Sequence, residues 1–124
     1  MTREIDRLKA DLFKSLAHPL RIQAVELLAE GERSVGDLVA CTGAEASHLS
    51  QQLAVLRKAG VLVSRREASS VFYRIRDPRT LHLLATVKEI LATSLTGSRD
   101  LLADLQSDDS PRAAPPRSWA RTKS

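Results

Sequence analysis

Cysteine and aromatic residues are scarce in this chain of 124 residues. The single cysteine, Cys41, excludes a disulfide within one chain and leaves no CxxC pair to hold a metal through thiolates. One Trp, one Tyr and two Phe make an all-β fold hard to build, because strands depend on aromatic and β-branched side chains. The core must come from Leu, Val, Ile and Ala, so we expect helices packed through leucine.

Long apolar segments and catalytic motifs are also missing. No stretch approaches the roughly 20 apolar residues that cross a bilayer, and the N-terminal segment lacks the apolar core of a signal peptide. We therefore predict a cytoplasmic protein with no membrane partner. A Gly-rich phosphate loop, HExxH and GxSxG are absent, so we do not expect an enzyme. The net charge of +4 favours a polyanionic partner.

Apolar residues at steps of three and four predict five helices, at residues 2–17, 19–30, 35–41, 44–59 and 79–105. Pro19 suits the first position of the second helix, where no N–H is needed. Ser34 is a good N-cap for the third helix. Only the short Thr42-Gly43 turn separates the third and fourth helices, which predicts a helix-turn-helix. We expect Cys41 to be a small buried hydrophobe rather than a sensing thiol.

Between the fourth and fifth helices the apolar period changes to two. Residues 61–66 and 71–76 are therefore predicted to form the two strands of a hairpin. The connecting Ala68-Ser69-Ser70 has no Gly or Asn, which predicts a loose tip. After Gln106 the chain becomes rich in Pro, Ser and Arg. We predict a mainly α domain with a small antiparallel β-hairpin over residues 1–106 and a disordered tail over residues 107–124.

The fourth helix has two faces of different chemistry. Ala46, Leu49, Leu53 and Leu56 follow helical spacing and form an apolar face for the core. The opposite side carries short polar groups, which suit base edges in a major groove. The candidates for DNA contact on this helix are Ser47, His48, Ser50, Gln51 and Lys58. An ordinary solvated face is the alternative, although Glu and Lys would then be more common.

Four arginines lie on the predicted hairpin: Arg65, Arg66, Arg74 and Arg76. Arginines at such positions suit phosphate contact or entry into a minor groove. Arginines on an exposed hairpin also protect an edge strand from unwanted pairing. Both interpretations stay open at the level of sequence.

Two segments carry a resemblance to a known family: LAHPLRIQAVELLAEGERSVGDL, from Leu16, and LSQQLAVLRKAGVLVSRREASSVFYRI, from Leu49. They resemble the opening motif, reading helix and wing of the ArsR/SmtB family of winged helix-turn-helix transcriptional repressors. The resemblance implies a homodimer paired through the first and last helices. It also implies two reading helices in successive major grooves of a palindromic operator. Where the family usually has a Ser or Thr helix cap, this chain has Ala44-Glu45.

The resemblance also implies an effector, and the ligand sets of the family must be compared with this chain. The segment that carries the thiolate pair of the family corresponds here to Ser34-Val35-Gly36, which contains no cysteine. Of the ligands of the family's last-helix site, this chain has only His82. Both sites are therefore missing. The remaining candidates for a nickel or zinc site are His18 and His82, meeting at a dimer interface. The alternatives are a metal-independent regulator and a protein-binding adaptor that keeps the scaffold.

Overall fold

The computed structural model describes residues 3–94 of the chain, which form five helices and a small sheet. The elements are α1 (Glu4–Leu16), α2 (Pro19–Leu27), a 3-10 turn (Leu28–Glu30), β1 (Arg33–Ser34), α3 (Val35–Thr42), α4 (Ala46–Lys58), β2 (Leu62–Glu67), β3 (Ser70–Ile75) and α5 (Arg79–Ser94). The mainly helical winged helix-turn-helix fold is confirmed. The predicted end of the last helix at residue 105 and the predicted tail at 107–124 lie outside the described residues.

Local sequence sets where the helices begin and end. Pro19 occupies the first turn of α2, as predicted. The Ser34 hydroxyl accepts a hydrogen bond from the Asp37 backbone N–H at 3.1 Å, so the predicted N-cap of α3 is confirmed. Gly43 ends α3 in the left-handed region, with a φ of 71°. The predicted second helix is too long, because its last turn tightens into the 3-10 turn.

The sheet has three antiparallel strands in the order β1-β3-β2, although the sequence pattern predicts only two. A strand of two residues is too short to show alternation, and β1 is defined only by its pairing with β3. The prediction of a loose hairpin tip is wrong. Glu67 pairs with Ser70, so the turn contains only Ala68 and Ser69. Ala68 adopts a φ of 54°, a conformation that Gly or Asn normally supplies.

The core is a single cluster of leucines and smaller aliphatic residues beneath α4. Leu49, Leu53 and Leu56 are completely buried, as predicted. Leu62 and Tyr73 join the hairpin of β2 and β3, the wing, to the same cluster. Ala46 is exposed, contrary to prediction, because it lies in the first turn of α4, beyond the core. Cys41 is also exposed, so its predicted burial is wrong. Of the eight residues of α3, only Leu38 is buried, and Cys41 lies in the last turn.

Both terminal helices expose apolar side chains in a single copy of the chain. The exposed set is Ile5, Leu8, Leu12 and Phe13 on α1, with Val87, Ile90 and Leu91 on α5. These side chains do not close over the core of one protomer, where α1 buries only Ser15 and Leu16. An apolar surface of this extent in a small domain is typical of an interface. No helix within residues 3–94 is long and apolar enough to cross a bilayer.

Candidate nucleic-acid interface

The first two turns of α4 present polar side chains to solvent. Ser47, His48, Ser50 and Gln51 are all exposed, while the leucines of the same helix hold its other side in the core. Lys58 is exposed at the C-terminal end of the helix. A rigid helix with small hydrogen-bonding groups at its N-terminal end has the form that base reading in a major groove needs.

Glu45 is the N-cap of α4, a role that we did not predict from the sequence. Its carboxylate accepts hydrogen bonds from the backbone N–H groups of Ser47 at 2.9 Å and His48 at 3.2 Å. The Ser47 hydroxyl also donates to this carboxylate, at 2.6 Å, and these bonds lower the pKa of Glu45. The negative charge of Glu45 interacts favourably with the positive end of the α4 helix dipole. Because the Ser47 hydroxyl donates to Glu45, the oxygen of Ser47 faces a ligand as an acceptor.

His18 lies beside the reading helix. The ring centroids of His18 and His48 are 6.0 Å apart. The Nδ1 atom of His18 accepts a hydrogen bond from the Leu20 backbone N–H at 3.1 Å, so a neutral His18 carries its proton on Nε2. His82 is exposed on α5. Across residues 3–94, no three His, Cys, Asp or Glu side chains are grouped in a way that could hold a metal ion.

The register of the hairpin places neighbouring arginines on opposite faces. Arg66 pairs with Val71 and shares the face of Leu62 and Tyr73, which packs on the core. Arg65 pairs with Phe72 on the outer face, where Arg74 also lies. Arg66, Arg74 and Arg76 are exposed, and none of their guanidinium groups forms an ion pair with a carboxylate of the described residues. Arg66 and Arg76 are therefore free to contact a phosphate backbone, whereas Arg74 also attracts the Glu32 carboxylate and helps to lower its pKa.

The guanidinium of Arg65 is held by two carboxylates and a ring. It donates from Nε and Nη2 to the carboxylate of Glu32, at 2.9 and 2.7 Å, and from Nη1 to Glu67. It also lies over the ring of Phe72, 4.5 Å from the centroid. These hydrogen bonds raise the pKa of Arg65 and lower that of Glu32. Arg65 thus differs from the other wing arginines, although the sequence pattern groups all four.

Gln52 stands apart from the other polar residues of α4. Its side chain is half-buried, and its Oε1 atom is fully buried with no hydrogen-bond partner within residues 3–94. Gln51, one position earlier, is exposed. The exposed polar surface at the start of α4 therefore consists of Ser47, His48, Ser50 and Gln51, without Gln52.

Known proteins that are similar to this chain are bacterial transcriptional regulators. The family model of bacterial regulatory proteins of the arsR family matches residues 18–64, from the start of α2 into β2. The uncharacterized HTH-type transcriptional regulator Rv0081 of Mycobacterium tuberculosis is 47% identical over 105 residues, which cover 84% of this chain and 92% of the relative. The biofilm growth-associated repressor of Agrobacterium fabrum is 44% identical over 81 residues, covering 65% and 69%.

Solved structures are also similar to this chain. The crystal structure of Rv0081 has a TM-score of 0.68 and 46% identity, covering 77% of this chain and 97% of that one. A homodimeric winged helix-turn-helix DNA-binding domain from Mycobacterium bovis has a TM-score of 0.65 and 31% identity, covering 75% and 86%. With its reading helix, its wing and these relatives, the chain belongs to the ArsR family of bacterial transcriptional regulators.

Proposed function

We propose that this protein is a homodimeric repressor that binds a palindromic operator in double-stranded DNA. The observation that carries the proposal is α4 itself, in which three fully buried leucines anchor a helix whose first two turns expose only small or hydrogen-bonding side chains. The ArsR-family relatives include proteins named as repressors. The role is binding rather than catalysis, and it is exercised in the cytoplasm.

Base reading is assigned to the exposed residues at the start of α4. The Gln51 amide offers both a donor and an acceptor, the pattern that matches adenine in the major groove. Ser47, whose hydroxyl proton is directed to Glu45, accepts from the amino group of adenine or cytosine. His48 and Ser50 complete the reading surface. Glu45 thereby shapes the chemistry of the surface without having to touch DNA.

Phosphate contact is assigned to Lys58 at the end of α4 and to three of the wing arginines, Arg66, Arg74 and Arg76. All four side chains are exposed. Contacts of this kind fix the position of a protein on the duplex and add affinity without adding sequence preference. They also make binding weaken as the salt concentration rises.

The apolar faces of α1 and α5 are assigned to a second copy of the chain. Pairing across a two-fold axis would bury both faces and repeat the reading helix. A spacing of about 34 Å between the two reading helices would bring them into successive major grooves of one side of the duplex. The homodimeric domain from M. bovis supports this assembly. A two-fold protein requires a two-fold operator, so the proposed site on DNA is palindromic.

Effector control completes the proposal. Nickel or zinc bound by His18 and His82 across the dimer is one hypothesis, and a metal-independent regulator is the other. The Leu20 N–H already occupies Nδ1 of His18, which leaves only Nε2 for a metal and requires its proton to leave. This geometry favours metal independence. Calorimetric titration of the metal-free protein with nickel and zinc separates the two, because binding that is lost in His82→Ala would support the metal site.

The proposed function is tested with Gln51→Ala. We expect this variant to lose most of the preference for the DNA upstream of its own gene over a random duplex, because the amide that reads a base is removed. Gln23→Ala removes the same amide from α2, outside the exposed surface of α4, and should keep the preference. Both variants are measured by gel shift at two salt concentrations. Equal preference in wild type and Gln51→Ala would contradict the assignment. An adaptor would show no preference even in the wild type.

A further inference from the structure

We infer that Arg65 is a positioning residue that straps the wing to the helix-turn-helix, and not a fourth phosphate contact. The inference rests on the proposed DNA-binding function, since its consequence is the orientation of the wing on DNA. It divides the four wing arginines into three that face phosphate and one that acts within the protein.

The side chain of Arg65 crosses the whole width of the sheet. Arg65 starts on β2, at one edge, while Glu32 directly precedes β1 at the other edge. On the way, the guanidinium lies over Phe72 of the central strand β3. Two parallel hydrogen bonds then join it to the Glu32 carboxylate. This bidentate geometry fixes the orientation of the guanidinium relative to the carboxylate. One side chain thus connects all three strands on the outer face.

The strap acts where the backbone connection is weakest. β1 has two residues, and only Arg33 and Ser34 pair with β3. α3, the first helix of the helix-turn-helix, begins immediately after β1. The other end of the wing is already fixed, because the Val61 N–H donates to the Leu56 carbonyl of α4 at 3.0 Å. The strap therefore restrains the β3 side of the wing, next to β1, which is farther from the Val61–Leu56 hydrogen bond than β2 is.

The charges around Arg65 are unfavourable for a phosphate. Glu32 and Glu67 both contact the guanidinium, so one positive charge is surrounded by two negative charges. A phosphate that approached Arg65 would be repelled by both carboxylates and would have to displace their hydrogen bonds. Arg66, the next residue along β2, faces the opposite side and has no such neighbours within the described residues. Adjacent residues of the same type therefore have different roles.

A comparison of Arg65→Ala, Glu32→Gln and Arg66→Ala tests the strap, with affinity for the upstream DNA measured by fluorescence anisotropy at several salt concentrations. Arg65→Ala should weaken binding about three- to tenfold, because a freed wing must be ordered on DNA, and the salt slope should not change. Arg66→Ala should lower the slope by about 0.9 for each protomer. A slope that falls equally in Arg65→Ala would overturn the inference.

For Glu32→Gln, the strap and a phosphate contact predict opposite changes in DNA affinity. If Arg65 were a phosphate contact, removing the carboxylate would free it and strengthen binding, whereas loss of the strap weakens binding. Glu30→Gln, two residues away and paired only loosely with Arg33 at 3.9 Å, measures the general effect of removing one carboxylate. Both Glu variants are compared in an Arg74→Ala background, because Glu32 also attracts Arg74. Binding of Glu32→Gln that is tighter than that of Glu30→Gln would contradict the strap.

A measurement without DNA separates the strap from the proposed function. Amide hydrogen exchange in β1 and β3 should be faster in Arg65→Ala and in Glu32→Gln than in wild type, because the outer edge is released. If exchange rises but wild type shows no preference for its own DNA, the strap stands and the repressor function fails. Unchanged exchange in both variants would reject the strap.

Discussion

Ile90→Ala is the substitution that probes the proposed dimer most cleanly. Ile90 is 57% exposed in one copy of the chain, on the apolar side of α5 with Val87 and Leu91. Complete burial of an isoleucine side chain contributes about 1.5–3 kcal/mol, so covering the exposed part contributes about 1–1.5 kcal/mol for each copy. A two-fold interface contains the contact twice. The variant should therefore weaken dimerisation by about 2–3 kcal/mol, which is a rise of about 30- to 200-fold in the dissociation constant.

Sedimentation equilibrium of wild type and variant measures this change, and circular dichroism checks that the helices are retained. Glu89→Ala is the matched control, because Glu89 is exposed on the same helix, turned about 100° from Ile90 toward the polar side. It should dissociate like wild type. A dissociation constant that is the same for Ile90→Ala and wild type would refute the pairing of these faces, as would a wild type that remains monomeric.

Three further outcomes follow from the core, the start of α5 and the histidines. Leu53→Ala should lower the free energy of unfolding by about 2–5 kcal/mol in urea titrations, because Leu53 is completely buried on the core-facing side of α4. Hydrogen bonds from Arg79 lower the pKa of Asp77 to about 2, so the charged form stabilises the fold above pH 4 and this contribution disappears as the pH falls toward 2. Asp77→Asn should therefore be less stable than wild type at pH 6 and equally stable near pH 2 in thermal melts, and a constant gap would contradict this. Operator affinity should not change on adding nickel, zinc or a chelator, and a change abolished by His18→Ala would instead assign a metal site.

Short-range chemistry made much of the fold predictable. Pro19 and Ser34 mark helix starts because their effects act within one turn of backbone. Leu49, Leu53 and Leu56 repeat at helical spacing, so the sequence alone predicts the buried side of α4 and, with it, the exposed reading side.

Features that depend on distant partners were not predictable in the same way. Arg65 and Glu32 are 33 residues apart, and no spacing rule connects them until the sheet order is known. Strand β1 has the same difficulty, since pairing with β3 alone defines it.

The Glu45 cap could have been found from sequence, because Glu45 stands directly before the polar start of α4 and its side chain reaches only two and three residues along. Exposure of Cys41 depends on how much of the short α3 its neighbours cover.

Specific recognition of DNA by α4 is the central claim, and competition binding tests it directly. A labelled duplex from the region upstream of the gene is bound by wild-type protein at a fixed salt concentration, and unlabelled random duplex is added in increasing excess. We predict that the complex survives about a thousandfold excess of random duplex, as specific regulators do. Displacement by an equal amount of random duplex would contradict the account.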